Sequence, residues 1–395
     1  MEERYENRAG RARQNNNGKK KKESYFDYSL LFITIFMLCF GVVMIYSASS
    51  YEAQDTFQDA YRYVKNQIMG IAVGVVISGV FLFFDYHIWS KFSFLIYLGS
   101  IVTILLVLTP LGIEANGARR WLNLGISSFQ PAELAKLAVI LILATVICAM
   151  GKKSRSPKGI ILLLIVGGLV SALILLITRN LSSALIIAGI TFCMVFVITK
   201  EYKQYVAMAV AVAGVGFAGV KVILMSSGSG GGFRVARIIA WLNPEEYADT
   251  TAFQTLQALY AIGSGGFLGR GLGGSMQKLN FLPEAQNDMI FSIICEELGL
   301  FGAVAVLIMF ILMIWRMMVI AGNAPDLYGA LLVVGVMSQI AIQVILNVAV
   351  VTNSMPNTGI SLPFISYGGT SVSFLIGEVA LVLRVSSQIR LKEME

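Results

Sequence analysis

The sequence predicts an all-α, polytopic membrane protein of about ten transmembrane helices, and three observations carry that prediction. The 395-residue chain is 56% hydrophobic and only 13% charged, about half the charge of an ordinary water-soluble domain. Apolar runs of roughly 20 residues, the length that crosses a bilayer as a helix, recur along the whole chain. These runs lack period-two alternation, which argues against a transmembrane β-barrel.

Residues 1–24 are polar and carry Asn15-Asn16-Asn17 and then Lys19 to Lys22, the composition of a disordered basic tail. The apolar run behind the tail is too long for a secretory signal core and reads as an uncleaved first span. Residues 25–390 form one membrane domain, with spans expected at about 27–48, 67–85, 92–110, 133–150, 160–178, 182–199, 203–225, 288–314, 327–351 and 367–388. With the N-terminus inside, most basic residues face the cytoplasm, among them Arg4, Arg8, Lys91, Lys152, Lys153, Arg155, Lys158, Lys200, Lys203, Arg316 and Arg384. That is the positive-inside pattern. An even number of spans returns the C-terminus, with Arg390 and Lys392, to the same side, and residues 391–395 form a short tail. The net charge of +7 reflects this asymmetry rather than nucleic-acid binding. The basic tail also suits anionic lipid headgroups.

Cys39, Cys148, Cys193 and Cys295 each lie in or beside an apolar run, without metal or redox spacing, and read as small buried hydrophobes. His87 is the only histidine. Zinc chemistry and a Ser-His-Asp triad are therefore poor candidates.

Three loops fall outside: 111–132, 226–287 and 352–366. In NGARRWLNLGISSF, between Asn116 and Phe129, charge alternates with Trp121, Leu122 and Leu124, which suggests a re-entrant interfacial segment. VTNSMPNTGISLPFISYGG has no charge at all, so its irregular backbone must be buried or line a cavity. The loop 226–287 is far longer than ordinary connections and is the expected reactive face.

Asp288 stands where that loop re-enters the membrane. A carboxylate partly withdrawn from water suits a general base, and an Asp just before an apolar run equally suits a helix N-cap. Glu296 and Glu297 lie deeper in the same run, as partners for basic residues or as ion ligands. Glu133 and Lys136 share a helical face, either as a local ion pair or, with Arg119 and Arg120, as a basic pocket for a phosphate. Gly269 to Gly274 fits GxGxxG but has no strand before it, so it is not a dinucleotide site. Arg270 and Lys278 beside it could face an anion. These residues describe a polar outer site and leave enzyme and transporter both open.

The motifs NGARRWLNLG…SFQPAELAKL, RIIAWLNP, LQALYAIGSGGFLGRGLGGSMQKLNFLPEAQNDMIFSIICEELGLFG and MPNTGISLPFISYGGTS resemble the SEDS family (shape, elongation, division and sporulation), most closely its FtsW/SpoVE branch. The resemblance runs from the first span to about residue 388. It implies a ten-span peptidoglycan glycosyltransferase in the bacterial plasma membrane that polymerises lipid II at the outer face for division or related wall synthesis. The implied partners are undecaprenyl-pyrophosphate-linked glycan, a class B penicillin-binding protein, other division proteins and membrane lipid. By motif, the family's essential aspartate falls on Asp288. Glu133, Lys136 and Arg120 fall on its polar motif positions, and Arg119, Arg270, Lys278, Glu284, Ser366 and Tyr367 complete the substrate-binding candidates. A divalent cation, Mg or Mn, is an optional aid to pyrophosphate. Where the family commonly has Pro-Asp-x-Gly-Thr, this chain has Arg179-Asn180-Leu181-Ser182-Ser183, so an acidic role there is not carried over. Two other classes stay open: a flippase for lipid II or another lipid-linked sugar, and a non-catalytic division scaffold. No internal repeat of the transporter kind is evident.

Overall fold

The computed structural model describes residues 24–115, 118–123, 128–199, 233–250 and 252–390. Most of the basic tail, the expected span 203–225 and residues 391–395 lie outside the described residues. Among those described, nine helices are long and apolar enough to cross a membrane. They are α1 (Tyr28–Phe57), α2 (Arg62–Phe83), α3 (Ile88–Leu106), α4 (Pro131–Met150), α5 (Pro157–Ile177) and α6 (Leu181–Ile198), then α9 (Ile290–Asn323), α10 (Leu327–Val351) and α11 (Gly369–Ser386). Two shorter helices, α7 (Phe233–Leu242) and α8 (Phe253–Gly265), belong to the long loop.

Local chemistry sets the helix ends. Asp27 caps α1 by accepting from the Leu30 amide at 2.9 Å, Ser156 caps α5 by accepting from Gly159 at 3.1 Å, and prolines open α4 and α5. Both devices satisfy or remove amides that have no intrahelical partner. α1 and α9 run well past the expected spans, to Phe57 and Asn323.

Small residues let α2 and α11 touch backbone to backbone. A Cβ placed on Gly70 would lie 2.6 Å from the Gly369 carbonyl oxygen, and one on Gly74 3.1 Å from the Ser373 Cα. The Ser373 hydroxyl donates to the Gly70 carbonyl across this seam at 2.7 Å. Without a hydrophobic force between helices in lipid, such close approach is what holds a bundle together.

The ends of the described chain meet at one end of the bundle. Strand β1 (Ser24–Tyr25) pairs antiparallel with a C-terminal strand (Ile389–Arg390). Arg316 of α9 binds the buried Asp27 at 2.7 Å and the Tyr25 hydroxyl. At the opposite end, β2 (Gly112–Ala115), β3 (Ala118–Asn123) and β4 (Ser128–Phe129) form an antiparallel sheet in that order; the C-terminal strand is β5. Within Asn116–Phe129, the described residues 118–123 and 128–129 are strands rather than the expected re-entrant segment. Its alternation is a strand period, with Ala118 and Leu122 buried and Arg119 and Asn123 exposed, as a sheet facing the protein on one side requires.

The glycine-rich part of the long loop folds back onto α9. The Arg270 and Gly271 amides donate to the carbonyls of Glu296 and Glu297, both at 2.9 Å, and the Leu300 amide donates to Gly266 at 2.9 Å. α9 breaks its helical backbone at Gly299, whose φ of 69° and close neighbours leave no room for a side chain. Glu296 accepts from the Ser275 hydroxyl and the Met276 amide (3.0 Å), and Glu297 from the Ser47 hydroxyl (2.7 Å) and Lys278 Nζ (2.9 Å). Of the two readings offered for these glutamates, the structure supports pairing: they rivet the loop to the bundle.

Candidate functional site

Asp288 lies in the turn before α9. Three consecutive carbonyls there are held from outside the turn. The Tyr367 amide donates to Gln286 at 2.9 Å, the Ser366 hydroxyl to Asn287 at 2.6 Å, and Asn347 Nδ2 to Asp288 at 2.8 Å. Asn347, fully buried on α10, also donates to the Ile360 carbonyl at 2.6 Å. The backbone under Asp288 is thus fixed by α10 and by the uncharged loop 352–368.

The side chain is held far less. Its Oδ1 is buried with no hydrogen-bond partner among the described residues. The N-cap of α9 is Met289, with no side-chain capping bond, so Asp288 is not the helix cap its position allowed. Burial, and then the Glu284 charge, push its carboxyl up to about 7, against its own backbone amide and Arg237. A carboxylate so poised is half ionised near neutrality, the range in which a general base works best.

Two guanidiniums stand with it. Arg120, on β3, donates weakly to the Arg179 carbonyl at 3.4 Å, and its buried Nε has no partner among the described residues. Arg237, on α7, donates to the Asn357 carbonyl at 3.1 Å. Burial lowers the pKa of each, and for Arg237 the charge of Arg120 lowers it further while Asp288 raises it. Cations that burden each other in this way create a site for an anion. Loop contacts complete the wall. Asn180 caps α6 by accepting from the Ser183 amide at 3.0 Å, so the residue standing where the resemblance implies an aspartate serves as a cap. The Ser182 hydroxyl donates to the Thr358 carbonyl. Gly359, at φ 68°, passes the carboxylate so closely that an added Cβ would lie 3.5 Å from Asp288 Oδ2.

The expected site residues therefore divide. Glu284, Ser366 and Tyr367 gather around Asp288, the last two through the backbone beneath it, and Arg120 is linked to it through Arg237. Glu284 accepts from the Asn287 side chain in the same turn. Arg119 points away, toward Glu114 at 3.3 Å, and is exposed. Glu133 and Lys136 form a buried ion pair at 2.8 Å inside the bundle. Arg270 (3.5 Å from Glu296) and Lys278 (2.9 Å from Glu297) are engaged by the loop rivet and are not brought to Asp288. Sequence reasoning missed Arg237 and Asn347. The first was visible as one of two arginines, with Arg234, in the helix leading to Trp241, and the second as the last of three amides spaced every fourth residue along an apolar run.

A model of the family described as "Cell cycle protein" (FtsW, RodA, SpoVE) matches residues 28–391. "Stage V sporulation protein E" of Bacillus subtilis is 37% identical over 372 residues, covering 93% of this chain and 99% of its own. The "Probable peptidoglycan glycosyltransferase FtsW" of Geobacter sp. (strain M18) is 34% identical over 367 residues, 92% of this chain and 98% of its own. Among solved structures, a chain from "Structural coordination of polymerization and crosslinking by a peptidoglycan synthase complex" superposes with a TM-score of 0.77 at 27% identity, covering 92% of this chain and 98% of that one. RodA of Thermus thermophilus superposes at 0.66 and 25% identity, covering 93% and 98%.

Proposed function

Because the chain belongs to the FtsW/RodA/SpoVE family of cell cycle proteins, we propose that this multi-pass membrane protein is a peptidoglycan glycosyltransferase that polymerises lipid II. It works at the outer face of the bacterial plasma membrane, with both termini in the cytoplasm. The observation that carries the reading is Asp288, whose buried Oδ1 has no partner among the described residues, beside Arg237, which in turn feels the charge of Arg120.

In this reading the 4-hydroxyl of the lipid II N-acetylglucosamine attacks the anomeric carbon at the lipid-linked end of the growing strand. A carbon–oxygen bond forms there, and the bond to pyrophosphate breaks with its electron pair leaving on undecaprenyl pyrophosphate. Asp288 Oδ1 takes the hydroxyl proton. The leaving group is already an anion, so one base suffices and no paired general acid is needed. Arg120 and Arg237 steady the charge that develops on it. Among the described residues no group of three or more His, Cys, Asp or Glu is arranged to hold a metal. Asp288 and Glu284 are the carboxylates that would share a Mg or Mn ion with the diphosphate, where it would supply further charge neutralisation.

The partner in this reading is a class B penicillin-binding protein, supported by the likeness to a chain from a peptidoglycan synthase complex. The test is polymerisation of labelled lipid II by the purified protein with its cognate class B partner, run beside a lipid II flipping assay in vesicles. Glycan strands are expected from the first and no stimulation in the second. Flipping without strands would favour a transporter, and neither activity a scaffold.

A further inference from the structure

Halfway along α11, Glu378 is completely buried in the bundle. Its Oε2 accepts from Nε2 of Gln339, equally buried at the middle of α10, at 2.7 Å. The two atoms geminal to that bond, Glu378 Oε1 and Gln339 Oε1, have no partner among the described residues. Nor does Oε1 of Gln343, one helical turn along the same face of α10. Three oxygen acceptors thus lie unsatisfied within the membrane interior, a costly arrangement unless something positive meets them.

The charges do not balance either. The ionised groups acting on Glu378 are Lys136 and Glu133 of α4, already joined to each other at 2.8 Å. With Glu378 ionised, two carboxylates and one ammonium leave one negative charge over, which a proton on Glu378 or a bound cation must cancel. The donors are carboxylate and amide oxygens, hard ligands that suit alkali and alkaline-earth ions rather than soft metals. The size of the deficit selects among these, because a divalent ion would leave net positive charge beside Lys136.

We propose that Glu378, Gln339 and Gln343 form a binding site for a monovalent alkali cation of the sodium kind, in the bundle interior between α4, α10 and α11. It is separate from the Asp288 site and does not depend on the glycosyltransferase reading. The polar face of α10 nonetheless connects them, since Gln339, Gln343 and Asn347 recur every fourth residue and Asn347 holds the Asp288 carbonyl.

The test is the thermal unfolding of the purified full-length protein in detergent, in sodium chloride against choline chloride at equal ionic strength. A ligand that binds only the folded state raises the midpoint with concentration, here by about 2–5 °C at saturation. Glu378→Gln keeps the shape and removes the charge, and Glu378→Met fills the space without polar atoms. Both variants are expected to fold and to lose the sodium response. An equal midpoint for wild type in the two salts would overturn the proposal, as would a sodium response that survives in Glu378→Gln. A midpoint that follows pH but ignores sodium would also overturn it, assigning the missing charge to a proton.

Discussion

Replacing Asp288 by Asn isolates the proton transfer, because Asn keeps the shape of the side chain and leaves the three backbone hydrogen bonds beneath it intact. A positioned general base contributes about 10²–10⁴ in rate, or about 3–5 kcal/mol of barrier at 1.36 kcal/mol per tenfold. The variant should lose that much in kcat with little change in KM. With the carboxyl pushed up to about 7, the wild-type rate should rise with pH through that value and level off above it. At about pH 6 only about a tenth of the base is ionised, so the rate there should be about a tenth of the plateau. The sign for stability runs the other way. A carboxyl whose folded value lies above its ordinary range binds its proton more tightly in the folded state. Wild type should therefore gain stability relative to Asp288→Asn as pH falls through about 7, and lose that advantage above it. Initial rates of lipid II polymerisation across pH, paired with thermal midpoints, measure both. A variant within about threefold of wild type, or one whose residual rate keeps the same pH rise, would refute Asp288 as the base.

Arg120→Ala and Arg237→Ala should each lower kcat/KM for lipid II by about 10–150-fold, from the loss of charged hydrogen bonds worth about 1.5–3 kcal/mol. Arg237→Lys should recover only part of this, since lysine keeps the charge without the planar fork; saturation kinetics decide it. Lys278→Met should destabilise the fold by about 3–5 kcal/mol by leaving Glu297 buried and unpaired, and adding Glu297→Gln should recover much of the lost midpoint. Gly70→Leu should prevent proper assembly, since its Cβ alone meets the Gly369 carbonyl. Gly79→Ala, where an added Cβ meets nothing, should elute as wild type on size-exclusion chromatography.

The membrane bundle was legible because lipid dictates it. A helix that crosses hydrocarbon must be apolar over about 20 residues, and all nine described spans overlap runs visible in the sequence. The sheet after α3 was not, because its short period-two pattern in Ala118–Asn123 also fits an interfacial segment. Asp288 was legible by position and by resemblance, yet the cap reading failed because α9 starts one residue later. Ser366 and Tyr367 were found as motif residues, but their contact is with main-chain carbonyls, which carry no sequence signal. Arg270 and Lys278 illustrate the converse. Their charge marked them as anion binders, while the carboxylates that claim them, Glu296 and Glu297, lie about twenty residues onward in an apolar run.

In the proposed function, the seam between α2 and α11 also bears on how a lipid-borne substrate reaches Asp288. At Gly70 the two helices meet backbone to backbone, and at Gly74 the Ile376 side chain of α11 fills the contact, so this stretch of the seam is closely packed. In the proposed function, a polyprenyl tail then approaches along another part of the perimeter of the bundle. The glycines that hold the bundle closed on one side thereby give lateral traffic through the membrane a direction.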